Sequence, residues 1–531
     1  MKKLRELFNE KDKFLIGTEL VSSRGILQQQ NNQKVVNLAR ELSNDNRVDW
    51  VSFTENPGGN PMIAPDILGK IVLQNNKNVI LNITCKDVNR NSLESLAWKY
   101  ASEGFENVLA LSGDYPIDGY NGLAQPVFDI DSAGLLQMLK EMNQGLKING
   151  RKPGDFINLD KTDFFAGCTV SPFKYSEAEQ MMQYQKLLLK LQTGADFIIT
   201  QLGYNIRKSE ELLCFLRENN IKIPVIGNIY RLTPGIARMF NKNMFPGCVV
   251  SDELLARINK EKTSADKGKT FFTEFAAKQL IAFKNLGYNG VYIGGFNNYN
   301  DFDSIIKKAD ELKEENWTDF IPELTNPFPG EFYYYSSNDK TKLSDANKIN
   351  PIYEGNKRSP YSKYVSLGYR INRVFHSLVF SKKSPIYTLN KKKYSILEKK
   401  PNSIINRFHY FNERSIKGFL FNCKECGDCS LPEITYLCPQ SQCVKNQRNG
   451  PCGGSYQNKC EHTDKNKDCI WVKAYSRNKY YYGNKNPLLN RKVIIKDNAL
   501  KDTSGWSNYF LAKGQFKIQK AKVKNQKLDS S

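Results

Sequence analysis

Short apolar, β-branched runs alternate with longer stretches of helical periodicity through the first 300 residues, the pattern of a parallel sheet with crossover helices. The runs are FLIGTEL from Phe14, WVSFT from Trp50, NVILNIT from Asn78, NVLALSG from Asn107, FFAGCTV from Phe164, FIITQL from Phe197, IPVIGNI from Ile223 and GVYIGGF from Gly290. Amphipathic stretches lie between them, such as SLESLAWKYASEG from Ser92 and SEAEQMMQYQKLLLKLQTG from Ser176, the second opened by Ser and closed by Gly as helices tend to be. Eight alternations in this length predict an α/β chain that opens with a (β/α)8 TIM barrel rather than an open doubly wound sheet. Seven of the connections carry a clear helical pattern. The one after Ile223 is long and mixed, which predicts an extra helix or lid there.

A barrel of this kind works at the C-terminal ends of its strands, where side chains and loops converge on one mouth. The polar residues at those ends are Glu19, Thr54, Thr84, Asp114, Thr169, Gln201 and Asn228. Any one alone would ordinarily satisfy a loop backbone; seven together point to a site. The chain has three histidines, His376, His409 and His462, and none falls in the barrel. That excludes Ser-His-Asp triads, Cys-His pairs and HExxH zinc sites from it. Proton transfer must rest on Glu, Asp, Lys or Tyr, and harder chemistry on a cofactor. No GxGxxG follows a strand and opens a helix, so a Rossmann-type nucleotide site is not expected.

NITC, AWKYASEGFENVLALSGDYP and the segment ending LQTGADFIITQLGYN, in this order, resemble the matching runs of the methylenetetrahydrofolate reductases, over roughly residues 14 to 297. The resemblance implies a flavin barrel in one-carbon metabolism and methionine biosynthesis, reducing 5,10-methylenetetrahydrofolate to 5-methyltetrahydrofolate. It implies Glu19 as general acid, Asp114 beside the flavin ring and Gln201 on the pterin. Thr54, Asn82, Thr84, Leu111, Gly113, Asp114, Phe128 and Lys190 fall at cofactor-contacting positions. The chain departs from the family at Ser112 in LSGD, where arginine is usual, at Asn82 in NITC, where histidine is usual, and at Phe128, where tyrosine is usual. The last strand ends GGFNNYN in place of a histidine-containing ending. FAD is the expected cofactor, with FMN as the alternative. Opening a cyclic methylene-diamine needs a proton on a ring nitrogen, and a buried carboxylic acid, its pKa raised by desolvation, can supply one.

Past about residue 300 the strand-helix rhythm stops, and residues 301–422 read as an irregular linker and packing region. Within it, SLGYRINRVFHSLVF from Ser366 has helical spacing of apolar residues and is expected to pack on a domain; His376 and His409 read as packing or capping residues. Residues 423–495 form a cysteine-rich module with Cys423, Cys426, Cys429, Cys438, Cys443, Cys452, Cys460 and Cys469. C-x2-C-x2-C suits tetrahedral zinc or three corners of a [4Fe-4S] cluster, and eight cysteines suffice without His462. With RNGPCGG, the block resembles the C-terminal domain that accompanies some of these reductases, associated with zinc or iron-sulfur centres and electron delivery to the flavin subunit. The remaining cysteines, Cys85, Cys168, Cys214 and Cys248, sit in apolar segments and read as packing residues.

No apolar stretch follows the basic start MKKLRELFNEKDK, and none approaches a membrane span, so a cytoplasmic protein is expected. The net charge of +22 could serve nucleic acid or a membrane surface, but the lysines are spread along the chain, and neither partner is expected. The one local concentration noted is the basic tail, residues 496–531, expected to be solvated or disordered. Expected partners are a folate substrate and NAD(P)H or an electron-transfer protein; a homo-oligomer is compatible with all of this. Two other readings are a pterin-dependent methyltransferase barrel with a zinc module and a non-catalytic scaffold with a zinc-ribbon-like domain. Flavin absorbance separates both from a reductase.

Overall fold

The eight apolar runs become eight parallel strands: β1 (Leu15–Leu20), β2 (Trp50–Phe53), β3 (Asn78–Thr84), β4 (Asn107–Leu111), β5 (Phe165–Val170), β6 (Phe197–Thr200), β7 (Val225–Tyr230) and β8 (Gly290–Gly294). Each pairs with the next, and β8 returns to β1 with Leu15 opposite Gly290 and Thr18 opposite Ile293, closing the barrel. This computed structural model describes residues 1–152, 154–354, 358–462, 466–485 and 487–515. Helices follow the strands as the periodicity predicts. The mixed connection after β7 holds two helices, Pro234–Asn241 and Asp252–Glu261, ahead of the long helix Lys269–Leu286. The helix Tyr299–Leu312 packs on that long helix and completes the eighth unit, so barrel structure runs past residue 300.

The interior is filled by pairing large with small across neighbouring strands. Gly17 is in register with Trp50, and a Cβ on Gly17 would sit 1.9 Å from the indole. Gly167 is likewise in register with Phe197, with 2.3 Å between an added Cβ and the ring. At the N-terminal end the first helix, Leu4–Leu7, plugs the barrel: Leu4 and Leu7 are buried against Leu15, Trp50, Ile80 and Leu109. Phe8 adds ring contacts to Trp50, Phe165 and Phe197 at about 6 Å. The basic, polar look of the first residues hid this plug.

Two compact units emerge, residues 1–354 with 451–467, and residues 355–450 with 468–531. The first unit therefore keeps more than the barrel, and it takes back a segment that carries Cys452 and Cys460. The second unit contains the helices Leu367–Val379, Pro385–Glu398, Ile404–Phe421 and Ile470–Tyr482. Its core joins Phe380, Tyr394, Leu397 and Phe510. A buried ion pair, Lys417 Nζ to Glu413 Oε1 at 2.6 Å, is tied in by the Trp506 amide donating to the same carboxylate at 2.9 Å. Residues 497–515, expected to begin a solvated tail, instead form the short helix Gly505–Phe510 and contribute Phe510 to that core. The tail from residue 516 onward lies outside the described residues. No helix among the described residues is long and apolar enough to cross a membrane.

Because Trp50 fills the space a side chain at residue 17 would need, Gly17→Val should destabilise the barrel by about 1–3 kcal/mol. Urea denaturation followed by near-ultraviolet circular dichroism should show a lower midpoint. An unchanged midpoint would mean that the indole has room to move.

Candidate active site at the mouth of the barrel

Glu19 stands at the C-terminal end of β1, in register with Ser52 of β2. Its Oε2 lies where a Cβ on Gly294 would be, 2.4 Å away, so the glycine at the end of β8 leaves the carboxyl its place. Protein atoms surround the carboxyl although it stays partly reachable from the mouth, and desolvation alone pushes its pKa up to about 7. Burial, helped by the nearby Glu19 charge, raises Tyr230 to about 12 and Tyr292 well above its usual range. Glu19 is the acid of an otherwise apolar and phenolic corner.

The loop after the helix Pro234–Asn241 reaches into the same mouth and joins the three predicted catalytic residues. Cys248 is raised to about 12, first by burial and then by the charges of Asp114 and Glu19, with Lys174 opposing. Its neighbour Gly247, at φ +83°, comes close to Gln201: a Cβ there would lie 3.6 Å from Nε2. Gln201 accepts the Leu202 amide at 3.0 Å through its other amide atom. Asp114 accepts the Gly58 amide at 2.8 Å, which fixes it over the ends of β2 and β4. Cys248, expected to be only packing, is half-buried between these groups.

Around the ends of β2 to β4 the predicted cofactor positions gather. Thr54 is buried with a hydroxyl that has no hydrogen-bond partner among the described residues, and the same holds for Oδ1 of Asn228, while Thr84 is buried beside the Glu55 carboxylate. Asn82 is buried and receives the Ser52 hydroxyl at 3.4 Å. Gly113, at φ +83°, packs against Thr84 and Lys86, with Leu111 just before it at the end of β4. Phe128 is buried with its backbone at φ +43°, 6.5 Å from the ring of Tyr115. Ser112 sits 3.4 Å from the Ser132 hydroxyl. Sequence reasoning missed Glu55, one residue past Thr54: its carboxylate takes the Thr84 amide at 2.6 Å, yet burial pushes it up to about 7. A second carboxylate immediately after a strand end was the signal available.

Lys190 is buried beneath the end of β5, donates to the Thr169 carbonyl at 2.6 Å, and is pulled down to about 8 by burial. Two further buried lysines hold the segment Pro451–Lys467. Lys186 donates to the Pro451 carbonyl at 2.9 Å; Lys174 donates to the carbonyl of Gly453 and, at 2.7 Å, to that of Ser455. The Ser176 hydroxyl meets Oδ1 of Asn458 at 2.6 Å, and the His462 ring lies against Tyr115, next to Asp114. The described part of this segment, Pro451 to His462, thus lies against the barrel's mouth with Cys452 and Cys460 on it.

In the second unit Cys423, Cys426, Cys429 and Cys438 line one cavity, with Lys417 beside them. Burial raises Cys423 and carries Cys429 to about 12. Cys443 and Cys469 do not line this cavity. Among the described residues no three His, Cys, Asp or Glu side chains close up around a point as they would about a single ion.

Residues 3–310 match the family model of methylenetetrahydrofolate reductase, and residues 403–497 match the model described as methylene-tetrahydrofolate reductase C terminal. A curated relative, Methylenetetrahydrofolate reductase 2 of Schizosaccharomyces pombe (strain 972 / ATCC 24843), is 23% identical over 228 residues, 42% of this chain and 34% of that protein. The chain thus spans about a third of the length of the relative it matches. Among solved structures, an uncharacterized protein from Clostridium thermocellum that binds two copies of 5-methyl-5,6,7,8-tetrahydrofolic acid aligns at TM-score 0.41 and 12% identity, over 58% of this chain and 98% of that one. A 2,3-dimethylmalate lyase aligns at TM-score 0.30 and 12% identity, over 59% of this chain and 85% of that one. With all eight strands inside the matched residues 3–310, the chain belongs to the methylenetetrahydrofolate reductase family.

Proposed function

We propose that the barrel reduces 5,10-methylenetetrahydrofolate to 5-methyltetrahydrofolate, with Glu19 as the general acid. The observation that carries this reading is the Glu19 carboxyl, held near pH 7 by burial in a barrel without histidine. An acid with that pKa is half protonated at neutral pH and still acidic enough to give its proton to a ring nitrogen of the bridged folate. Asp114 and Gln201, gathered beside it around Gly247 and Cys248, orient the pterin and the cofactor.

The residues present fit a flavin. The unpartnered hydroxyl of Thr54, the glycine at 113 and the buried Asn82, Thr84, Phe128 and Lys190 would hold it beside Leu111 and Asp114. FAD is the proposed form and FMN the alternative, because Ser112 offers a hydroxyl where the family's arginine would grip a diphosphate. A reduced flavin supplies the hydride that the protonated folate accepts. Lys190 already donates to Thr169, so its contribution is field more than a direct bond.

The same reading gives the cysteine module a metal centre. Four thiols around one cavity, two of them raised by burial, need a cation to become thiolates. The C-x2-C-x2-C run with Cys438 on the same cavity suits tetrahedral zinc or a [4Fe-4S] cluster. NAD(P)H or an electron-transfer protein is the proposed source of electrons.

Four outcomes test this. Glu19→Gln should keep flavin absorbance and quinone-reductase turnover while folate reduction falls at least about 10²-fold; equal losses with both acceptors would assign Glu19 to the fold instead. Gln201→Ala should mainly raise KM for folate. A raised carboxyl pKa means that the folded state holds its proton longer than the unfolded chain. The stability cost of Glu19 is therefore absent below about pH 4.5, grows as pH rises, and is complete above about 7. Glu19→Gln should accordingly be more stable than wild type at pH 8, on the order of 2 kcal/mol, and equal to it at pH 4.5; the opposite trend in urea midpoints would refute the burial argument. Finally, metal analysis should find zinc, or iron with acid-labile sulfide, and Cys426→Ser should lower that content. Full metal content after replacing Cys423, Cys426, Cys429 and Cys438 together by serine would contradict the site.

A further inference from the structure

The second unit carries an apolar face that its own core does not use. The helix Leu367–Val379 forms where its periodicity predicts, but among its apolar side chains Leu367, Ile371, Val374 and Leu378 are exposed instead of packed on a domain. The helix Ile404–Phe421 repeats the pattern, with Ile404 at 85% and Phe419 at 90% exposure. Between Ser366 and Phe421 lie fifteen of the 28 exposed large hydrophobic side chains among the described residues. Soluble surfaces tolerate scattered apolar residues, but not this concentration without a purpose. The two helices face each other across an open groove walled by Ile371, Phe375, Ile416 and Leu420, with Trp506 and Tyr509 also lining it.

Charge selects what covers this face. The same stretch holds twelve lysines and arginines against two glutamates, a net +10, and one of the glutamates, Glu413, is spent on the buried pair with Lys417. A second copy of the chain would bring two such fields together and is repelled. Protein interfaces are poor in lysine at their centres, whereas basic helices with a Phe, Leu and Ile face are the chemistry of an anionic lipid surface. We propose that this helical face binds the surface of an anionic phospholipid membrane, the apolar side chains entering the headgroup boundary and the lysines and arginines neutralising lipid charge. The sequence expectation of no membrane partner rested on the lack of a spanning stretch, and does not bear on a chain that lies on the surface. Attachment would set the cysteine cavity, which shares Lys417, Phe421 and Cys429 with the groove, near the lipid.

The test is co-sedimentation of the full-length protein with vesicles of phosphatidylcholine alone and of phosphatidylcholine with about one third phosphatidylglycerol. Partitioning should be at least tenfold stronger on the anionic vesicles and should fall steeply at about 0.5 M salt, where screening is short-ranged. The triple variant Ile404→Ser, Phe408→Ser, Phe419→Ser changes exposed residues only and should lose binding tenfold or more with an unchanged circular dichroism spectrum. Replacing Lys391, Lys392 and Lys393 by Gln should weaken binding, while Lys242→Gln with Lys262→Gln, on the barrel unit, should not. Equal partitioning on both vesicles, or a triple variant that binds like wild type, overturns the proposal. So does a wild-type chain that stays in the supernatant with both, which would give the face to an acidic protein partner.

Discussion

Burying one carboxyl at the end of β1 is the constraint on which the proposed chemistry depends. The barrel strands and their connections carry no histidine, and a carboxylic acid serves as a proton donor near neutral pH once water is removed from it. Gly294 leaves room for Glu19, Tyr230 and Tyr292 surround it with little to stabilise its charge, and the first helix closes the far end of the barrel. The same burial that prepares the acid costs stability once the acid ionises, a usual exchange at functional sites.

The strand ends were legible in the sequence because their logic is local: a β-branched run, then a polar residue, then a turn. All eight strands, and Glu19, Asp114 and Gln201 at one mouth, followed from that logic and from the resemblance. What escaped depended on distant pairings. Leu4 and Leu7 look like an ordinary charged N-terminus until Trp50 and Phe197 are seen to need a floor. Glu55 went unremarked, and Cys248 looked like packing, because nothing near them in sequence says which loop enters the mouth. The apolar periodicity after Ser366 was visible, but periodicity shows which face is apolar and not whether the fold covers it.

The cysteine block reads as one module in sequence and is divided in space. Cys423, Cys426, Cys429 and Cys438 belong to the second unit, while Pro451–Lys467 is held on the barrel by Lys174 and Lys186. Both lysines are buried and donate to backbone carbonyls of this segment. They hold the segment in place where its His462 ring lies against Tyr115.

The central claim, that Glu19 is an acid with a pKa near 7, can be observed without turnover. The infrared carbonyl band of protonated carboxyls, recorded from acid to alkaline pH for wild type and for Glu19→Gln, isolates this one group as a difference. The account predicts a difference band that is full at pH 5 and disappears with a midpoint near 7. A midpoint in the ordinary glutamate range, about 4.3, would contradict it.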